Sequence, residues 1–299
     1  MPRHLAIVSL TLALLLGAAP GRAELALTDD VGQSVTLPGP ARRIVSLAPH
    51  VTELIYAAGA GQALVGAVDY SDYPAEARSV KRIGSYVRID LEAIAALKPD
   101  LVIGWRSGNP ATQLERLRAL GLPVYINEPR NLEAVAHSLR QIGILAGTQA
   151  AANAAADRFM AHRNALHAQY AGRTPVPVFY QIWNQPLMTI NGHHLISDVI
   201  RLCGGRNVFD KLDVLAPKIG IEAVLAADPE AIVASGMGES RPEWLDEWHK
   251  WHTLNAARRD NLFFVPPDLI QRHTPRILDG ADMLCQHLDT ARARRNGPQ

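Results

Sequence analysis

One stretch of this chain occurs twice. Residues 89–103 read IDLEAIAALKPDLVI and residues 219–233 read IGIEAVLAADPEAIV, an ungapped match at an offset of 130 positions. Each copy is a short amphipathic helix with Glu in its first turn, then a Pro, then an apolar run suited to a buried strand. Self-similarity at this range marks a duplicated supersecondary unit, one per half of the molecule. Chance likeness between two ordinary helix–strand units is the alternative. The repeat predicts two lobes with a cleft between them, and 299 residues are enough for two domains.

The rest of the chain agrees. Leu25 to Leu37 reads as a hairpin turning at Gly32, and Ile44–Leu47 as a buried strand ended by Pro49. Further strands are predicted over 64–68, 101–103, 124–126, 176–182, 187–190, 231–234 and 262–265. Helices are predicted between them, including 241–250 and a last one over 275–294. Strands alternating with helices imply parallel sheets covered on both faces, and such sheets bind ligands beyond the carboxyl ends of their strands. Residues 149–171 are Ala-rich without Gly or Pro. As one helix they would span about 35 Å at ~1.5 Å per residue, either a rigid connector or a helix packed wholly on one lobe.

The N-terminus sets the compartment. Arg3 and His4 precede the apolar run Leu5–Ala19, and small residues stand before a cut after Ala23, the pattern of a secretory signal peptide. No Cys stands at the cut to carry a lipid, and no later stretch is long and apolar enough for a membrane span. The expected divisions are a signal peptide 1–23, an N-terminal lobe 24–147, a connecting helix 148–172 and a C-terminal lobe 173–299. In an oxidising compartment the two cysteines, Cys203 and Cys285, read most simply as a disulfide, with two buried thiols as the alternative.

Composition excludes some partners and motifs exclude some chemistry. A formal net charge of +1 offers no field to draw nucleic acid or an anionic membrane. The chain holds no Gly-x-Ser-x-Gly elbow, phosphate loop, dinucleotide fingerprint or His-Glu-x-x-His. No enzyme is expected. Of the 11 histidines, His193 and His194 are adjacent, while His249 and His252 lie at helical spacing among tryptophans. None has a carboxylate or Cys at ligand spacing, so no resident metal or cofactor is expected. His50 differs, since it stands at a strand end facing the presumed cleft. Tyr70, Tyr73, Tyr86, Trp105 and Trp183 also fall at strand ends or in loops, as befits a cleft rim for a large, flat, mostly apolar ligand. Trp105 and Trp183 are expected to confront each other across it.

The segments RIVSLAPHVTELIYAAG (43–59), YSDYP (70–74), LEAIAALKPDLVIGWRSGN (91–109), LCGGRNVF (202–209) and RHTPRI (272–277) together resemble the iron-siderophore and cobalamin binding family of bacterial ABC importers. YSDYP and GWRSGN are particular to its cobalamin branch. The resemblance covers nearly all of the mature chain. It implies a helical-backbone periplasmic binding protein, an α/β fold with two mainly parallel lobes joined by one long helix that hinges little. The implied ligand is cobalamin or a related corrinoid, carried as a monomer in the periplasm to a permease dimer with its ATPase. An iron-siderophore or haem is the alternative. By the same resemblance Tyr70, Tyr86, Trp105 and Trp183 line the ligand site, with Asp268 and Arg272 in the cleft-facing loop before the last helix. Glu92 and Glu222, otherwise ordinary helix-dipole carboxylates, match surface glutamates that pair with permease arginines. Cys203 and Cys285 match a disulfide. Ala216 before Pro217, and Leu269 and Ile270 after Asp268, replace aromatics of the family and are expected to thin the second lobe's wall.

Overall fold

The structure is a computed structural model that describes residues 24–236 and 240–295, so the predicted signal peptide lies outside the described residues. A hairpin of β1 (Leu25–Thr28) and β2 (Ser34–Leu37) opens the chain. There follow β3 (Ile44–Ser46), α1 (Pro49–Ala57), β4 (Leu64–Ala67), the short pair β5 (Gly84–Ser85) and β6 (Arg88–Ile89), and α2 (Leu91–Ala96). Next come β7 (Leu101–Trp105), α3 (Ala111–Ala119), β8 (Val124–Asn127) and α4 (Leu132–Ala146). After α5 (Gln149–Tyr170) the chain forms β9 (Val176–Gln181), α6 (Leu195–Leu202), β10 (Gly205–Asn207), α7 (Ile221–Ala227) and β11 (Ala231–Ala234). It ends with α8 (Asn255–Arg258), β12 (Leu262–Phe264), α9 (Pro267–Ile270) and α10 (Ile277–Arg294).

The duplication is visible in the sheets. The first is ordered β4-β3-β7-β8 and the second β10-β9-β11-β12, both wholly parallel. Numbered within each half, both orders are 2-1-3-4. The repeated segment supplies the same part in each, a short helix (α2 or α7) leading into the third strand (β7 or β11). Those strands are apolar throughout because helices and loops cover both faces, so no position can be polar without burying an unpaired group. Asp90 caps α2 by accepting from the Ala93 amide at 2.9 Å.

Helix α5 is not confined to one lobe. It packs along α4 and touches α1 on one side and α6 and α10 on the other. Its buried Ala152, Ala155, Ala156, Phe159, Leu166 and Tyr170 belong to an apolar cluster that runs unbroken from Val35 in the first half to Ala291 in the second. A disulfide joins Cys203, just past α6, to Cys285 in α10.

Two predicted elements differ. Leu187–Ile190 is not a strand; Met188 makes only isolated bridges to Trp183 and Lys218, because the chain folds back at Gln185–Pro186 beyond the end of the sheet. Residues 243–250 form a 3-10 segment rather than an α-helix, with Leu245 and Trp248 as its buried residues. Pro49 does more than end a strand, since it opens α1, where a missing N–H costs nothing.

Candidate functional site

Sequence logic in the N-terminal wall centres on Asn109. Its buried side chain accepts from the Trp105 amide at 2.7 Å and donates to the carbonyls of Leu47 at 2.9 Å and Tyr86 at 2.8 Å. One amide thereby ties together the ends of two strands and the loop bearing Tyr86. Gly108 lies flat on the Trp105 indole, and a Cβ there would meet the ring at 1.8 Å. The GWRSGN spacing is thus a device for holding one tryptophan. Tyr86 leans on it, ring centroids 6.0 Å apart.

Tyr70 is 72% exposed and has φ +63°, a left-handed conformation that is strained for a bulky side chain. Hydrogen bonds tie down the backbone beneath it. Ser71 is buried, bonded to the Thr52 hydroxyl at 3.1 Å, and its carbonyl accepts from Arg82 at 2.7 Å. Arg106 faces elsewhere, lining a shallow depression with Gln33, Glu115 and Arg118.

From the other lobe, the loop between α9 and α10 brings His273 into this wall. The His273 ring is 5.3 Å from His50, 6.3 Å from Trp105 and 5.9 Å from His194, and His50 meets Trp105 edge-on at 5.0 Å. His50 and His273 are buried, and neither His50 Nε2 nor His273 Nδ1 has a hydrogen-bond partner. His194 is the N-cap of α6, its Nδ1 accepting from the Ile196 amide at 3.1 Å. All three imidazoles are held neutral. Burial pushes His273 down to about 4, and burial, then the neighbouring His273, lowers His50 and His194.

Beside the histidines the lobes are latched by charge. Glu53, 3% exposed on α1, accepts from Arg272 Nη1 at 2.7 Å and from Arg276 at 2.7 and 3.0 Å. Arg272 also bonds Asp72 at 2.7 Å and Asp268 at 3.0 Å, and the Arg276 guanidinium lies 3.8 Å over the Tyr73 ring. Burial raises the Asp72 carboxyl, but the hydrogen bond and charge of Arg272 outweigh it and hold it below the usual range. Arg272 therefore joins the two lobes, while Asp268 pairs with Arg272 within its own. A groove of about 610 Å³ borders the latch, lined by Tyr56, Tyr73, Pro74, Gln62 and Pro275 among others.

The Nε1 of Trp183 donates to the Gln185 carbonyl at 2.9 Å, and its ring lines a depression of about 300 Å³ with Trp244. Ile270, expected in the wall, is wholly buried in the core because α9 turns it inward. Glu92 and Glu222 are both exposed, in the first turns of α2 and α7, the same station of each lobe. Sequence reasoning missed His273, Glu53, Arg276 and Asn109. The RHTPRI segment held two of them, yet nothing in it said that they meet α1.

Two parallel-sheet lobes around one long helix, with an aromatic wall and the facing loops between them, define a two-lobed solute-binding protein. No helix of the described residues is long and apolar enough to cross a membrane. The periplasmic binding protein family model matches residues 44–269, and the chain belongs to that family, which consists of carriers rather than enzymes. It is 37% identical over 257 residues to the vitamin B12-binding protein of Vibrio campbellii, covering 86% of this chain and 93% of that relative. It is also 37% identical over 265 residues to the vitamin B12-binding protein of Yersinia pestis, covering 85% and 89%. The crystal structure of the periplasmic vitamin B12 binding protein BtuF of Vibrio cholerae superposes with a TM-score of 0.79 at 36% identity, over 85% of this chain and 99% of that one. A periplasmic heme-binding protein from Roseiflexus shares the fold, with a TM-score of 0.73 at 24% identity over 84% and 99%.

Proposed function

We propose that this protein captures cobalamin or a close corrinoid between its lobes in the periplasm and delivers it to the permease dimer and ATPase of an ABC importer. The observation that carries this reading is identity of 36–37%, over more than four-fifths of the chain, to relatives named for vitamin B12. The lobes are taken as 24–147 and 173–299 around the connecting stretch 148–172. The chain works as a monomer, exported by its first 23 residues. Tyr86 and Trp105 supply a flat apolar wall for the macrocycle, Tyr70 its exposed lip, and Trp183 a contact from the second lobe. Opening of the latch frees Asp268 and Arg272 for the amide rim. Haem or an iron-siderophore is the second reading, since His50 and Tyr86 are candidate axial donors for iron.

Titration with cyanocobalamin, haemin and ferric siderophores, read by quenching of the five tryptophans, separates these readings. Saturable quenching by cyanocobalamin is expected, and Trp105→Ala should weaken it by about 10- to 100-fold, the usual worth of a central aromatic. Saturation by haemin or a siderophore with no response to cyanocobalamin would overturn the proposal.

Glu92 and Glu222 fit a second role. Two equivalent exposed carboxylates on two equivalent lobes suit a two-fold partner that presents basic pockets. Glu92→Arg combined with Glu222→Arg should leave ligand affinity intact and abolish uptake into cells. Joint loss of affinity and uptake would show that the glutamates serve the ligand site instead.

A further inference from the structure

His50 and His273 are buried side chains of opposite lobes whose rings meet at 5.3 Å, and the His273 ring stands 6.3 Å from Trp105. A flat guest needs about 3.5 Å to an atom on each of its faces, so none fits between these rings as they stand. The contact is also short of partners. His50 Nε2, His273 Nδ1 and Trp105 Nε1 are all enclosed, and none makes a hydrogen bond. A permanent core pairs nearly all of its buried polar atoms, so three orphans in one contact between lobes mark a contact that is made to part. The segment carrying His273 suits that. Residues 271–276 connect α9 to α10, and Gln271 ties their start to Ser235 and Gly236 of its own lobe. Only Arg272 and Arg276, through Glu53, fasten them to the other lobe by charge.

We propose that His273 is a plug: in the empty protein its ring takes the place beside Trp105 that the corrinoid occupies, and capture requires it to withdraw. The inference rests on the corrinoid reading above and deepens it, by naming the residue that limits affinity and the condition that relieves the limit. A guest that binds only the open form has its apparent affinity cut to the open fraction of the molecules. Anything that disfavours the shut contact therefore tightens binding.

Acid is such a condition. Around the His273 ring, α1 presents His50 and, three residues on, Glu53, whose charge is held by Arg272 and Arg276. The end of β7 presents Trp105, and the cap of α6 presents His194. The charges that act on these imidazoles are cations, Arg272 on His50 and Arg130 on His194, so a proton taken up in the shut form meets repulsion. Burial holds His273 down to about 4 while the plug is seated, and an imidazole in water returns to about 6.5. The lowered value favours the shut form fully above about pH 6.5, and that advantage is lost as pH falls. At pH 5 opening gains about 30-fold from His273 alone. His50, lowered by the same burial, adds to it in the same direction.

The test measures affinity for cyanocobalamin, which does not itself titrate in this range, by tryptophan quenching at pH 7.5 and at pH 5. The unaltered protein should bind tenfold or more tightly at pH 5. His273→Ala should bind tenfold or more tightly than the unaltered protein at pH 7.5 and respond little to acid. A side chain that merely supports the site or touches the guest would weaken binding when removed, so weaker or equal affinity in His273→Ala overturns the plug. Should His273→Ala not fold, His273→Gln decides, since it keeps the bulk but takes no proton. It should match the unaltered protein at pH 7.5 and gain less from acid, and an equal gain overturns the proposal. Acrylamide gives a reading free of any ligand, taken as the quenching that disappears in Trp105→Phe. Trp105 of the empty protein should be shielded at pH 7.5 but reached at pH 5 and in His273→Ala, and equal access throughout overturns the plug. Failure of every protein to take cyanocobalamin overturns the corrinoid reading, while acrylamide still decides for or against the plug.

Discussion

Glu53→Ala should cost about 3 kcal/mol of unfolding free energy, measured from urea melts at neutral pH. The carboxylate is almost wholly buried, and three hydrogen bonds of 3.0 Å or less join it to Arg272 and Arg276. Removing it leaves two guanidiniums, 12% and 19% exposed, with too little opposite charge. Arg272 keeps Asp72 and Asp268, whereas Arg276 keeps only the Tyr73 ring, which is why the figure sits at the low end for a broken buried pair. Replacing all three members, Glu53→Leu with Arg272→Met and Arg276→Met, should recover part of the loss, since no buried charge is then stranded and Asp72 and Asp268, which lose Arg272, are 43% and 41% exposed. A loss below about 1 kcal/mol for Glu53→Ala would mean that the pairings merely offset their own desolvation.

The second large effect belongs to the disulfide. Cys203 and Cys285 are 82 residues apart in sequence, and closing a loop of that length is worth about 4.5 kcal/mol at most in the chain-entropy model. Cys203→Ala with Cys285→Ala, or reduction in denaturant, should lower stability by up to that amount. The bridge fixes α10 to the end of α6, and Arg292 of α10 reinforces the joint by donating to the carbonyls of Cys203 at 2.8 Å and Gly204 at 3.0 Å. Equal melts with and without reductant would show that this arginine and the surrounding packing hold α10 unaided.

Much of the architecture could be read in the residues because it follows from local patterns. Two copies of one helix–strand unit led to two sheets of one strand order, and an uninterrupted Ala-rich run led to α5. The pairing of Cys203 with Cys285 followed from export and from a family likeness. The cleft was legible only from its first-lobe side. Trp105 and Tyr86 stand at adjoining strand and loop ends, with Asn109 binding them. Glu53 and Arg272 are 219 residues apart, and no spacing rule links a helix-interior glutamate to an arginine at that distance. His273 was hidden likewise. Leu187–Ile190 has strand composition, yet no neighbouring strand extends far enough to pair with it, so propensity lost to topology.

The apolar cluster that passes through α5 makes the two halves unequal along their seam. Along that seam the halves share an oily interior that cannot be wetted without heavy loss, and close beside it Glu53 meets Arg272 and Arg276 across the same boundary. Under a force that parts the halves, only the ions can trade their protein partners for water, so they would yield first and the greasy contacts last.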